Sequence, residues 1–186
     1  PHHTRLRGLV LRAFTSRRIK QLAPEITQLC HDFLKATPIT PGKLAEPFDL
    51  IAQFANKLPV IVIARLLGVP DSMADQLLAW SNAMVAMYQA RRDVEIEARA
   101  VCAAQDFVAF MRDYIKARRS QPQDDLITHL IAAEEDGEKL SIDELITTCI
   151  LLLNAGHEAT VHSLGNGVKV LLESETPRTA LTPDTI

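Results

Sequence analysis

Residues 151–167 read LLLNAGHEATVHSLGNG, and this stretch decides how the rest of the chain is interpreted. The segment that contains it opens at Ser141-Ile142-Asp143-Glu144, which is a capping box: the serine hydroxyl and the glutamate carboxylate can satisfy exposed backbone N–H groups. No proline interrupts the segment before Ser174. The sequence therefore predicts one helix of about 48 Å at 1.5 Å per residue, long enough to cross the whole body of the protein.

Most of the remaining chain also predicts helix. Apolar residues recur every three or four positions from Leu22 to Phe33, which places them on one helical face. Residues 48–67 are apolar with Pro59 inside them, which predicts two short buried helices that meet at the proline and end at Gly68. Further helices are predicted over 72–90, 93–118 and 124–134, and alternating strand patterns are absent from the sequence. The predicted fold class is all-α, with one long central helix.

Composition and charge narrow the functional class. The 186 residues are 47% hydrophobic and 23% charged, which is typical of a globular protein with a core. The formal net charge is −3, so the overall charge does not favour binding to nucleic acid. The three cysteines are far apart, which predicts a reducing, cytoplasmic location. No apolar run approaches the roughly 20 residues that span a bilayer. Six basic residues precede the first acid, Glu25, and predict a local basic surface: Arg5, Arg7, Arg12, Arg17, Arg18 and Lys20.

The histidines of the central helix do not predict a zinc site. A helical HExxH motif needs imidazoles four residues apart, whereas His157 and His162 are five apart. At about 100° per residue they diverge by about 140°, so one helix cannot offer both to one metal.

Small residues in the same helix predict either close packing or space for a ligand. Glycine inside a helix costs up to about 1 kcal/mol relative to alanine, so a compensating role is expected. We interpret Gly165 and Gly167 as packing positions, and Ala155-Gly156 as space for a flat ligand. Glu158 then lies in apolar surroundings, where a carboxylate either handles protons or braces a neighbouring backbone.

A pair of cationic residues predicts an anion contact near the N-terminus. His3 and Arg7 are four apart and share a helical face, where they can donate hydrogen bonds to a carboxylate or phosphate. The alternative is an ordinary solvated basic face.

Three stretches read together resemble the bacterial cytochromes P450. HTRLRGLVLRAFTSRRIKQLAPEI at 3–26 resembles the family's C helix and the segment after it, and AGHEATVHSLGNG at 155–167 resembles its I-helix signature. Between them, residues 48–70 are similar to the E-helix region. The resemblance implies a haem-thiolate monooxygenase with haem b, which activates dioxygen and oxidises a small apolar substrate.

The resemblance also implies roles for particular residues. His3 and Arg7 match the pair that binds the haem propionates, and Ala155, Gly156 and the following Ala159 match positions over the haem. Glu158 matches the acid of an acid–alcohol pair that relays protons to bound oxygen.

Two departures qualify this assignment. The family's alcohol normally follows the acid directly, but here Ala159 stands there and the hydroxyl comes one residue later, at Thr160. We hypothesise that a substrate hydroxyl or an ordered water replaces it. The family's ExxR motif and cysteine-containing haem loop are also absent, so no axial metal ligand is predicted in this chain.

The chain is therefore expected to form a single partial domain, residues 1–186, lacking the N-terminal part and the C-terminal haem-cysteine region of the family and inactive in isolation. The expected electron donor is a ferredoxin or flavodoxin, with no nucleic-acid or membrane partner. The alternative function is an all-helical small-molecule-binding or regulatory module without catalysis.

Overall fold

The fold, taken from a computed structural model, is an assembly of helices around the long one predicted at its centre. The structure describes residues 2–13, 16–37, 47–135 and 137–175, together with residues 180 and 182. Seven α-helices occupy these ranges, with bounds as follows: α1 His2–Ala13, α2 Ser16–Ala36, α3 Lys57–Leu67, α4 Ala74–Val85, α5 Val94–Ser120, α6 Leu126–Ala132 and α7 Ile142–Glu173.

Short elements connect these helices. A π-helical turn at Ile51–Ala55 precedes α3, and 3₁₀ turns at Asp71–Met73 and Ala86–Tyr88 flank α4. Two antiparallel strands, β1 at Glu134–Glu135 and β2 at Glu138–Lys139, pair between α6 and α7. The prediction of an all-helical fold is confirmed, with this two-residue ladder as the exception among the described residues.

The capping box at the start of α7 is present as predicted. The Ser141 hydroxyl accepts from the Glu144 N–H at 3.2 Å, and the Glu144 carboxylate accepts from the Ser141 N–H at 2.8 Å. The helix continues for 32 residues, to Glu173. Because two orphan N–H groups are satisfied where α7 begins, its first turn is firmly placed against its neighbours.

The helix boundary predicted at Pro59 is wrong. The break falls at Asn56, between the π turn and α3, and Pro59 lies in the first turn of α3. A proline is tolerated there because the first N–H groups of a helix have no intrahelical acceptor to lose. The predicted end at Gly68 is confirmed, since this residue adopts the left-handed conformation with φ +79°.

The core lies where α4, α5 and α7 meet. Phe107, Met111 and Ile115 form a buried row on α5, and Trp80 of α4 packs edge-on against Phe107 with ring centroids 5.7 Å apart. The buried residues on α7 recur at Ile146, Cys149, Leu153, His157 and Val161. This spacing leaves the opposite face of α7 free of the core, and that face carries the predicted site.

Candidate functional site

A groove lies between α1 and the first part of α7, and it contains Leu151 and Leu152 from the stretch that the sequence singles out. It encloses about 540 Å³ and is lined from α1 by His3, Leu6, Arg7, Val10 and Leu11. The α7 side contributes Asp143, Glu144, Thr147, Thr148, Leu151 and Leu152. The volume falls in the range of small-molecule pockets, and the groove combines aliphatic walls with a few charged groups.

The histidine–arginine pair of α1 lines this groove. His3 and Arg7 are exposed and lie one helical turn apart on the face of α1 that meets the groove. Helix α1 is held in place by Leu9, which is fully buried in the core on its other side. The pair can therefore donate to an anionic group at the edge of a ligand whose body lies between the helices.

A row on α7 extends from Leu151 at the groove to two alanines that are not among the residues lining it. Leu151, Ala155 and Ala159 are spaced by four, so they form one row along the helix, and all three are exposed. The row changes from a bulky to a small side chain after Leu151. This change leaves open space beside the middle of α7.

Gly156 has a different role from the one predicted. A Cβ built there would meet Cδ1 of Ile63 at 2.9 Å, so the glycine admits a side chain of α3 rather than only making room for a ligand. Gly165 accepts Cδ1 of Ile51 in the same way, at 2.7 Å, which confirms its packing role. The packing role predicted for Gly167 is wrong, because a Cβ there would meet nothing within 4 Å among the described residues.

Glu158 is exposed, and both apolar and polar residues surround it. It lines a second cavity of about 470 Å³ that lies beyond the groove along α7 and is also lined by Asn82 and Val85 of α4. Its carboxylate lies 3.9 Å from Nε2 of His162, one turn on. Glu158 is exposed although it follows the buried His157 directly, because neighbouring helical positions point about 100° apart.

Thr160 is bonded within its own helix. Its hydroxyl donates to the Gly156 carbonyl at 2.8 Å, four residues back. This bond holds the hydroxyl in the manner usual for threonine inside a helix. Position 159, where the alcohol was expected, carries only a methyl group, so the structure does not bring Glu158 and a neighbouring alcohol together on one row.

His157 is a polar core residue that the sequence analysis treated only as part of a rejected zinc motif. It is 4% exposed, and its Nε2 atom has no hydrogen-bond partner among the described residues. Burial lowers its pKa, a shift that Glu158 partly opposes and His162 reinforces. A histidine at a core-facing position of an apolar row was the sequence signal that could have identified it.

The three cysteines differ in their exposure to solvent. Cys149 lies on the core face of α7, and burial raises the pKa of its thiol to about 12. Cys30 is partly buried on α2, and Cys102 is exposed on α5. None of the three is among the residues that line the groove, and a buried thiol of this kind stays protonated instead of binding a metal as a thiolate.

The basic run near the N-terminus is partly neutralised. Arg5 makes ion pairs with Glu138, at 3.0 Å, and with Glu144. The side chains of Arg17 and Arg18 lie outside the described residues. Among the described helices, none combines the length and apolar character that crossing a membrane requires.

The described residues form a helical protein in which a short helix with a histidine–arginine pair faces a long central helix across a groove. Residues 1–177 match the family model described as Cytochrome P450, and the chain belongs to that family. The enzymes of this family bind haem.

Individual relatives agree with this assignment. The chain is 42% identical over 186 residues to Cytochrome P450 107B1 of Saccharopolyspora erythraea, covering 99% of this chain and 42% of that protein. It is 40% identical to Vitamin D(3) 25-hydroxylase of Pseudonocardia autotrophica, covering 99% of this chain and 43% of the relative. The ligand-free structure of Cytochrome P450 TbtJ1 superposes with a TM-score of 0.84 at 35% identity, covering 93% of this chain and 44% of that one. The chain thus spans less than half the length of these relatives.

The described residues fit one side of a haem site. The groove offers an aliphatic wall and two donors suited to carboxylates. No cysteine lines the groove, so it offers no thiolate to the iron of a haem. The residues that would hold the haem are therefore the aliphatic side chains of the groove and, for its carboxylates, His3 and Arg7.

Proposed function

We propose that this chain forms the α7-facing wall of the haem pocket in a monooxygenase that oxidises a small apolar substrate with dioxygen. The groove between α1 and α7 supports the proposal most directly, because it joins an aliphatic cavity to a histidine–arginine pair. Family membership favours this function over a binding or regulatory module without catalysis. Bound haem would supply the activation of dioxygen, with electrons from a ferredoxin- or flavodoxin-type donor.

The chain's own residues would hold and orient the cofactor. His3 and Arg7 would donate to the two carboxylates at its edge, and guanidinium can hold two oxygens at once. Leu151 and Leu152 would exclude water from the apolar body. The methyl groups of Ala155 and Ala159 would leave room for a small molecule beside α7 while keeping that space dry.

Glu158 would handle protons at the boundary with solvent. Its carboxylate is about half exposed and lines an open cavity, so it can exchange protons with water. It is one position from Ala159 on the groove row. A relay from Glu158 into the groove would need a hydroxyl that the protein does not place at position 159, and a substrate hydroxyl or an ordered water would fill that gap.

Substitution of the cationic pair tests the cofactor role in the holoenzyme that contains this chain. His3→Ala and Arg7→Ala should each accelerate haem loss about tenfold, the usual worth of a hydrogen bond to a charged group. Arg99→Ala is a matched control, because Arg99 is an exposed arginine on α5, and its ion pair is with Glu95 of its own helix, at 3.6 Å. Haem retention that is unchanged in both variants would overturn the assignment of the pair.

The isolated chain provides a second test. No cysteine lines the groove, so added haem should not acquire a thiolate ligand. The reduced carbon-monoxide difference spectrum should lack the Soret band that thiolate ligation produces. Appearance of that band would show that one of the three cysteines can reach the iron.

A further inference from the structure

The groove that would bind the anionic edge of a cofactor also contains two carboxylates. Asp143 and Glu144 lie in the first turn of α7 and line the groove opposite the pair His3 and Arg7. They suit the helix, since acidic groups stabilise a helix N-terminus. They do not suit an anionic ligand, because like charges in one site repel.

Each of the two acids is paired with an arginine from a different helix. Arg5 of α1 donates through Nη2 to Oε1 of Glu144, with side chains only 24% and 18% exposed. Arg112 of α5 donates to Oδ1 of Asp143 at 2.5 Å, with side chains 48% and 73% exposed. Both pairs place a positive charge beside a groove carboxylate.

Arg5 is positioned to act on Glu144 and not on a ligand directly. It is not among the residues that line the groove, and it lies two positions from both His3 and Arg7, turned about 160° from their shared face on α1. Its guanidinium is fixed by further contacts, with Glu138 Oε2 at 3.0 Å and the Lys139 carbonyl at 3.4 Å. Glu144 is fixed as well, because its other oxygen accepts from the Ser141 N–H.

We propose that Arg5, with a smaller contribution from Arg112, neutralises the carboxylates of the groove so that His3 and Arg7 can donate to a carboxylate-bearing ligand without opposition from negative charge. Arg5 is thus a positioning residue that acts through Glu144. Arg5 should contribute more than Arg112, because solvent screens the exposed pair of Arg112 and Asp143 more than the largely buried pair of Arg5 and Glu144. This inference rests on the proposed function, since the ligand it concerns is haem with its two carboxylates.

The test is the rate at which holoenzyme containing this chain loses its pigment to excess apomyoglobin. Arg5→Met removes the charge and keeps an aliphatic stem, and should accelerate loss of haem b about fivefold, the scale of one uncompensated charge near a partly exposed site. Arg112→Met should change the rate by less than about twofold. Loss of haem dimethyl ester, whose carboxylates are esterified, should be unaffected by either variant.

A rescue variant separates charge from packing. Glu144→Gln in the Arg5→Met background removes the negative charge that Arg5 faces in the wild-type protein and preserves the capping box, which accepts glutamine. Haem b retention should return to within about twofold of the wild-type value. Thermal unfolding of each ligand-free variant shows whether the fold is retained.

Failure of rescue, or equal acceleration for haem b and its ester, would overturn the charge-neutralising role and leave Arg5 as a packing residue. A wild-type protein that retains neither pigment would instead overturn the proposed function itself.

Discussion

The end of α3 at Gly68, helix α5 and the start of α6 meet at a buried ion pair. Gly68 ends α3 with φ +79°, and its carbonyl accepts from Arg118 Nη2 at 2.9 Å and from the Tyr114 hydroxyl. Arg118 Nε donates to Asp125 at 2.6 Å, and these two side chains are only 12% and 5% exposed. Asp125 also caps α6 by accepting from the Thr128 N–H at 2.8 Å.

Replacing this glycine by alanine should be far more damaging than backbone strain alone predicts. A Cβ at position 68 would lie 2.5 Å from Cβ and Cγ of Asp125, so the aspartate must move and the ion pair with Arg118 must break. Left-handed backbone costs an alanine about 1–2 kcal/mol. Separating the two charges of a buried ion pair adds about 3 kcal/mol. The free energy of unfolding should therefore fall by about 4–5 kcal/mol in total.

Gly137 provides the matched control. It has the same φ of +79°, but a Cβ there would meet nothing within 4 Å among the described residues. Gly137→Ala should therefore cost only the strain of about 1–2 kcal/mol. The difference between the two variants isolates the collision with Asp125.

Urea unfolding followed by far-ultraviolet circular dichroism measures both variants. With a slope of about 2 kcal/mol per molar urea, Gly68→Ala should lower the midpoint by about 2 M and Gly137→Ala by less than about 1 M. Equal shifts would refute the reasoning, since they would mean that Asp125 moves aside without cost.

Three further predictions concern the site and the thiols. Burial lowers the pKa of His157 in the folded protein below its ordinary value of 6.5, so below pH 6.5 the unfolded chain binds more protons than the folded one. The free energy of unfolding should therefore be full above pH 6.5 and should decrease as the pH falls below it. The urea midpoint should no longer depend on pH in this way in His157→Gln, whereas His31→Gln should keep the pH dependence. The same pH dependence in both variants would show that His157 is not its source. Maleimide should label the exposed Cys102 in the native protein and Cys149 only after unfolding, because burial keeps the Cys149 thiol protonated and inaccessible. Labelling of Cys149 in the native protein, detected by mass spectrometry, would show that α7 opens. Ala159→Thr in the holoenzyme should raise the fraction of consumed dioxygen that appears as product for substrates without a hydroxyl, and no change with any substrate would make an alcohol at that position irrelevant.

Features that depend on neighbouring residues in the sequence were predictable. The capping box of Ser141 and Glu144 and the end of α3 at Gly68 follow from local backbone chemistry. The grouping of His3 with Arg7 on one face follows from helical geometry alone. Their meeting with α7 across one groove came only from the family resemblance, since no local pattern specifies which helices pack together.

Features that depend on which side of a helix meets a neighbour were not predictable from the sequence. Glu158 was expected among apolar residues, but its exposure depends on the direction in which α7 presents His157 to the core. Gly156 was assigned to a ligand because nothing in the sequence reveals that Ile63 packs against it. Cys102 lies in an apolar-periodic segment, yet it projects from α5 to solvent. The single partial domain proposed for residues 1–186 stays a prediction.

The two glycines that admit isoleucine side chains have a mechanical consequence for α7. Gly156 receives Ile63 and Gly165 receives Ile51, and nine residues at 1.5 Å separate these notches by about 13.5 Å along the axis. A screw displacement of α7 by one residue would bring a Cβ against both isoleucines at once, since every neighbouring position carries one. The two contacts therefore fix the position of α7 along its axis relative to α3 and the π turn. We expect α7 to accommodate a ligand in the groove by bending and not by shifting along its axis.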